Sequence, residues 1–537
     1  MFVFVGGRAS VDDVLREPGL RALAGIGGVG LMTIADDQPP EDTIRDLARG
    51  VGLSDRVELS LDIALPGARP PVDRETIADA AASLRDQIRR SGSRDVLVVF
   101  VALSHPRDAQ AVGGDLDTVL VARGSPESLL EGGGDLRGLT SDTTRRAGVV
   151  AHVDIGPTIL EFLGRPIPDD LPGSPIRVEG GPPTELLERF VEYRRVVTPT
   201  GVIVLAFTLL ALVVALALLF TGWGSPVLLR AVAAWGVVGV SLQVGLLAGS
   251  WLPTFEPWVV ALTVGGVGIA VAAAALWWGR GSLVRAPAAV ASIALGLVVL
   301  DALLGWRSLL TPLLGGSALD GVRFYGLGNP YAGVVLAGSV LAAALMPPPV
   351  GVTLMLAAAL FAGLPFLGAD LGGGITLFAV AGLWYGLRAR RSARAGVLWA
   401  AAGGLAGAVL LVLAHRFLPP EQTHVTRAVE ASGGLAGIVD VFLDRFRLNL
   451  EVTAATPAIW PALAGVVLAL YVAVARPGPF RRPLERLEAW RLGAIVLAIG
   501  AMLGYVLNDT YGMASVSFIY LALALVYPAL AVRWTHD

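Results

Sequence analysis

The residues best equipped for chemistry sit in a polar, glycine-rich break in an otherwise hydrocarbon-like half of the chain, Arg323-Phe-Tyr-Gly-Leu-Gly-Asn-Pro-Tyr331. A cation, an amide, two phenols and two glycines directly before an apolar run suit a site better than a span or a short connector. Two similar breaks follow, Gly368-Ala-Asp-Leu-Gly-Gly-Gly374 and Asn508-Asp-Thr-Tyr-Gly512. Arg307 and Arg323 are the candidate grip on an anion, because a guanidinium presents forked donors to phosphate or carboxylate. Tyr325, Asn329, Tyr331 and Asn508 are candidate substrate-binding partners, and Asp370 and Asp509 the candidate catalytic groups, as base or cation ligand. Each break has an ordinary alternative: glycines let helices pack closely, Asn508-Asp509 makes a turn, and a charge at a span end snorkels into headgroups. With the polar connection 416–456 there are four such clusters on one side, and polar groups at membrane depth are costly enough to argue for a cavity or site.

What must position these groups follows from composition. The chain has 537 residues, 54% hydrophobic and 16% charged, with a mean hydropathy of +0.67, too apolar for a soluble globule throughout. It reads as an integral membrane protein in contact with membrane lipids. The net charge of -3 argues against nucleic acid as a partner. All 41 Lys+Arg residues are arginine, and there is no cysteine, so neither disulfides nor thiolate metal sites can form.

Composition changes sharply near Pro199, which places a domain boundary at about residue 196 and divides the chain into 1–195 and 196–537. In the first part, Met1–Val5 reads as a buried strand, Leu15–Ala24 as a short helix and Gly28–Thr33 as an apolar stretch. Asp73 can cap a helix to about Arg90, with Ile77, Ala81, Leu84 and Ile88 at helical spacing. Asp95–Leu103 has the continuous apolar run of a parallel, doubly covered strand, with Asp117–Val121 as its neighbour. Asp154–Leu163 is another helix. Strands alternating with helices indicate an α/β layer fold.

The segment Leu139–Pro175, with Thr140-Ser-Asp-Thr-Thr144, Pro157-Thr158 and Leu163-Gly164, resembles the end of the alkaline-phosphatase/sulfatase superfamily core, and Met1–Thr33 is similar to that superfamily's opening strand and helix. The resemblance implies an alkaline-phosphatase-like N-terminal domain. Active members place a metal-binding Asp after the first strand and an Asp-His pair at a later strand end; here Gly6-Gly7 and Ala102-Leu103-Ser104-His105 stand in those places. Only His105 and His152 are loosely positioned as ligands, so no metal is assigned and the domain is expected to be degenerate, a pseudoenzyme. Thr143, Arg145 and Arg146 are a candidate oxyanion grip in that domain, a solvated loop being the alternative.

The second part is expected to be all-α and polytopic, with about eleven transmembrane helices near 199–221, 229–252, 257–279, 287–306, 331–347, 350–367, 372–387, 396–415, 456–475, 491–507 and 513–532. Arginine collects in one set of connections: Arg230, Arg280 and Arg285, Arg388 to Arg394, Arg476 to Arg491, and Arg533. The short connections of the opposite set, 252–257, 368–373 and 508–512, have none. The arginine-rich side is therefore expected to be cytoplasmic, with residues 1–195 outside and the C-terminus inside. An external domain needs an export signal that Met1-Phe-Val-Phe-Val does not supply, so the authentic start is expected upstream.

A degenerate phosphatase-like domain followed by a polytopic core with these motifs resembles a family of bacterial multispanning envelope proteins, which implies the bacterial cytoplasmic membrane and architecture rather than mechanism. Three functions follow as expectations. One is an envelope enzyme, a transferase or hydrolase at the outer leaflet acting on a lipid-linked or anionic phosphate or glycan substrate. The second is a transporter or flippase with a Gly-broken helical pathway. The third is a non-catalytic scaffold that recruits envelope protein partners. No cofactor is indicated.

Overall fold

The computed structural model describes residues 2–8, 15–33, 81–82, 84–86, 88–90, 95–103, 116–131, 135–168, 171, 173–181, 183–280, 282–320, 324–389, 392–418, 438–456, 459–508 and 511–534. The chain divides into two units: Met1–Arg195 together with Gly316–Tyr325, and Val196–Gly315 together with Gly326–Asp537. The segment Gly316–Tyr325, left in the second part by the sequence reading, thus groups with the first.

The first unit is built on a mixed five-stranded sheet in the order β1-β3-β4-β2-β6, from Phe2–Arg8 (β1), Gly28–Thr33 (β2), Val96–Leu103 (β3), Leu116–Gly124 (β4) and Val149–Ala151 (β6). Leu139–Thr140 (β5) pairs with Arg177–Val178 (β7) in a small second sheet. β1 runs parallel to β3, in register from Phe2 opposite Val98 to Gly6 opposite Ala102, with a shift between Gly6 and Arg8. The apolar run of β3 correctly marks a central strand, but its other neighbour, β4, is antiparallel. A continuous apolar run reports burial on both faces and carries no information about a neighbour's direction. Pro18–Ile26 (α1), Pro126–Glu131 (α2) and Ile155–Phe162 (α3) accompany the sheet. Ala81, Leu84 and Ile88 are buried as their helical spacing anticipated, whereas Asp73 and Ile77 lie outside the described residues. The core gathers Met32, Val99, Val119, Val150, Ile155 and Ile159.

Thr184–Thr221 (α4) begins the helical part, followed by Pro226–Gly249 (α5), Pro257–Trp278 (α6), Arg285–Leu303 (α7), Asn329–Ala343 (α8), Pro348–Gly363 (α9), Leu371–Ala389 (α10), Ala393–Phe417 (α11), Ile438–Ala455 (α12), Trp460–Ala475 (α13), Glu488–Leu507 (α14) and Gly512–Trp534 (α15). Seven of these, α4 to α7, α11, α14 and α15, are long and apolar enough to cross a membrane, and an eighth is reached if the bent pair Asn449–Ala455 and Trp460–Ala475 counts as one span. A helix occupies each of the eleven expected stretches, but α8 and α9 are shorter apolar helices of 10–17 residues and α10 is not among the seven. Glycine and proline at the ends of these stretches shorten the helices below the apolar runs that contain them.

The outer faces are those of a lipid-exposed bundle. Ile203, Val213, Leu262, Ile269, Val397, Leu398 and Leu405 are all more than half exposed, and their side chains present only hydrocarbon. α6 has exposed Trp258 at its start and exposed Trp277 at its end. Nineteen residues of helix separate them by about 29 Å, close to the roughly 30 Å hydrocarbon thickness at whose two boundaries indole rings settle.

Candidate functional site

A chain of pairwise contacts links the C-terminal ends of α5, α7, α9 and α14 with the N-terminal ends of α8, α10 and α15. Three glycines bring the polar breaks together there. A Cβ on Gly326 would lie 2.3 Å from the carbonyl of Gly368, while the Leu327 amide donates to that same oxygen at 2.6 Å. A Cβ on Gly512 would meet the Pro330 ring at 2.9 Å, and one on Gly372 would meet Asn508 Oδ1 at 2.2 Å. Backbones this close leave no room for a side chain, which is why glycine stands at these positions.

The same end holds a buried aspartate. Asp301, on the last turn of α7 and 4% exposed, accepts from Trp251 Nε1 at 2.8 Å, from the Ser308 amide at 3.1 Å and from Ser308 Oγ at 2.5 Å. Tyr331 OH donates to Ser308 Oγ at 3.0 Å, completing a relay from α8 through the connection to α7. Three donors from two separate segments thus converge on this one side chain. Leu247, Trp251, Val298, Asp301, Ser308 and Tyr331 bound a cavity with room for about one water molecule.

The connection that carries Ser308 is held in shape from both sides. Trp306 adopts a left-handed backbone conformation (φ 58°), its amide donates to the Asp301 carbonyl at 2.8 Å, and its indole donates to Leu367 O at 3.0 Å. Ala369, two residues beyond Leu367, is also left-handed (φ 48°). Such conformations cost energy in a residue with a Cβ and persist where the surroundings over-determine them, often at functional sites. Ser250 Oγ accepts from the Leu313 amide at 2.8 Å and ties the end of α5 to the same connection.

Of the residues singled out by sequence, Asp370 is 2% exposed and caps α10, accepting from the Gly373 amide at 3.0 Å. Asn508 is 5% exposed at the C-terminal end of α14; its carbonyl accepts from Asn449 Nδ2 at 3.1 Å and its own Nδ2 points to Met513 Sδ at 3.5 Å. Asp370 and Asn508 each lie against the first turn of α10, at Gly373 and Gly372. Asn329 is buried in the first turn of α8, two residues before Tyr331. Arg307 is exposed, beside the Asp301 relay but outside it. Arg323 and Asp509 lie outside the described residues, as does His105. Trp251, Ser250 and Ser308 were not singled out by sequence, although Ser308 lies seven residues after Asp301 and Trp251 stands at a span end.

In the first unit, two of the three residues offered as an oxyanion grip, Arg145 and Arg146, face Phe324 and Tyr325. The Arg145 guanidinium lies over the Tyr325 ring, 4.3 Å from its centroid, and Arg146 Nε donates to Phe324 O at 3.0 Å. Tyr325 thus groups with Arg145, in a different unit from Asn329 and Tyr331. Asp154 organises the neighbouring loops: it is fully buried and accepts from Ser141 Oγ at 2.6 Å, the Ala151 amide at 2.8 Å and the Ser174 amide at 2.9 Å. Burial raises its pKa above the ordinary 3.8, and the hydrogen bonds from Ser141, Thr143, Ala151 and Ser174 oppose that shift in part. Thr158 Oγ1 extends the network, donating to the Asp154 carbonyl at 2.6 Å and accepting from the Ile176 amide at 2.8 Å.

Family models, curated proteins and solved structures give no match to this chain. Among the described residues, no three His, Asp or Glu side chains come together as metal ligands.

Proposed function

We propose that this chain is an integral membrane protein of the bacterial cell envelope that handles a lipid-linked or anionic phosphate or glycan substrate at the polar end of its helical unit. The observation that carries the reading is the meeting of three sequence-distant glycine-rich breaks, at Gly326, Gly368–Gly372 and Asn508–Gly512, beside the buried Asp301–Ser308–Tyr331 relay. Buried polar groups in a membrane-embedded bundle are costly and concentrate at sites of action. Arg307 is an exposed cation beside the relay and would meet the anionic group, with Asn329, Asn508 and Asp370 set around the adjoining helix ends. The arginine-rich connections join the opposite helix ends, so the positive-inside tendency turns the polar end outward.

Two measurements test this. The chain has no cysteine, so single cysteines report cleanly. A membrane-impermeant maleimide should label Glu256→Cys, at the polar end, in intact cells and Ala393→Cys only after permeabilisation; the reverse pattern would refute the outward assignment. In nanodiscs, the purified protein should bind a polyprenyl phosphate, and Arg307→Ala should weaken that binding about tenfold, the loss of one charge-assisted pair. Equal binding by both proteins would remove Arg307 from the site.

A non-catalytic scaffold is the second reading, favoured by the engagement of Arg145 and Arg146 with Tyr325 and Phe324. Alanine at Arg307, Asn329 and Asp370 would then leave the cellular phenotype intact, while loss of the first unit would abolish it.

A further inference from the structure

A half-open groove runs between α4, α5 and α15, walled by Ala211, Ala215, Gly236, Val240, Leu523 and Val526 among others. Thr208 also lines it, but its hydroxyl turns inward to Val204 O at 2.8 Å and Gly239 O at 3.0 Å, leaving hydrocarbon toward the groove. The lining residues run from 232 to 240 on α5 and from 518 to 530 on α15, which is about 12 Å and about 18 Å of helix. That is roughly half of a 30 Å hydrocarbon core, the depth of one leaflet.

Two arginines lie just beyond one end of it. Arg533 follows the last lining residue on α15, Leu530, by three positions, and donates from its two terminal nitrogens to Leu218 O at 2.6 Å and Gly222 O at 2.7 Å, which fixes a positive charge at the end of α4. Arg230 precedes the first lining residue on α5, Val232, by two positions and is exposed. Trp223, 71% exposed in the turn between α4 and α5, supplies an aromatic ring of the kind that settles at headgroup depth. An apolar slot one leaflet deep, with two arginines on the helix turns just beyond one end, is complementary to an acyl chain below an anionic headgroup.

We infer that this groove is a binding site for an anionic phospholipid of the arginine-side leaflet, its acyl chain between α4, α5 and α15 and its phosphate at Arg230 and Arg533. The inference uses only the helical unit's embedding in a bilayer and stands apart from the polar site at the other helix ends.

The test is native mass spectrometry of the full chain released from detergent after equilibration with equal amounts of a phosphatidylglycerol and a phosphatidylcholine of the same acyl composition. The wild-type protein should retain phosphatidylglycerol preferentially. Arg230→Gln, at an exposed position, should lower phosphatidylglycerol occupancy about fivefold and leave phosphatidylcholine unchanged, since one basic residue near an anionic surface contributes about that factor. Gly236→Leu should lower occupancy by both lipids about tenfold or more, because a Cβ there meets only Leu523 Cδ1 at 3.7 Å and the remaining side chain fills the groove. Equal retention of the two lipids by wild type, or no change in either variant, would overturn the inference. So would a dimer that dissociates in Gly236→Leu while lipid occupancy stays constant, because the occupant would then be a second copy of the chain.

Discussion

Gly372 and Asn508, 136 residues apart, touch so closely that a Cβ on the glycine would lie 2.2 Å from the asparagine Oδ1 and 2.5 Å from Leu507 O. The second of those neighbours is backbone and cannot swing aside. Gly372→Ala should therefore separate the start of α10 from the end of α14 and destabilise the protein by about 1–3 kcal/mol, the usual cost of overpacking. Gly265→Ala is the control, because nothing lies within 4 Å of its Cβ and alanine favours helix. Thermal unfolding in detergent should show a lowered midpoint for the first variant and an unchanged or raised midpoint for the second. Equal midpoints would mean that the two breaks are not packed as described.

Asp301 and Ser308 should behave as one unit. Removing the carboxylate leaves the Trp251 indole and the Ser308 amide without their acceptor, and buried donors left unmatched cost about 1–3 kcal/mol each. Asp301→Ala is thus expected to destabilise by about 3 kcal/mol. Ser308→Ala, which removes only the hydroxyl between Asp301 and Tyr331, should cost less. The double variant should fall short of the sum of the two by about 1 kcal/mol or more, the signature of a shared hydrogen bond. Additive losses in chemical denaturation would show that the relay is not coupled.

The sequence carried the helical stretches and the polar character of this end, because long apolar runs and the breaks between them are local patterns. It marked Tyr331 and Asp370 as unusual for the same reason. It did not mark Trp251 or Ser308, whose part depends on an Asp301 partner 50 and 7 residues away, and a lone serine or tryptophan at a span end has no distinguishing pattern. Nor did it anticipate that 316–325 groups with the first unit, a nonlocal contact made by two arginines that read equally well as an anion grip. Helix shortening at α8 and α9 escaped it because hydropathy extends beyond the residues that keep helical geometry.

Arg145 and Tyr325 should be energetically coupled. The guanidinium sits 4.3 Å from the ring centroid, and such a pair contributes about 0.5–1 kcal/mol when exposed and more when desolvated. Arg145 holds a left-handed conformation (φ 54°) to do so, which disfavours a side chain with no compensating contact. Arg145→Gly would relieve the backbone and lose the cation, whereas Tyr325→Leu would lose the ring alone. Limited proteolysis of the full chain should cleave near 316–325 several-fold faster in Tyr325→Leu than in wild type, and Arg145→Gly should add little to that variant. Unchanged cleavage in both would show that the contact does not secure the segment.

Asp154 sets a pH dependence whose sign follows from its environment. Burial is the largest influence and raises its pKa above 3.8, so the folded first unit holds this proton more tightly than the unfolded chain does. Between 3.8 and the raised value the folded state binds more protons, and by linkage the stability contributed by protonated Asp154 is present in full below 3.8 and is lost as pH rises through the folded value. Hydrogen exchange of the amides of Ala151, Ser174 and Ile176, corrected for intrinsic rates, should therefore show protection that declines over that interval in the full chain. Asp154→Asn removes the titration and should flatten the profile, while lowering protection at every pH because an amide replaces one of the accepting oxygens with a donor facing Ser141 Oγ or the Ser174 amide. Protection that instead rises with pH would mean that the four opposing hydrogen bonds outweigh burial and that the carboxylate, not the acid, is the form the fold prefers.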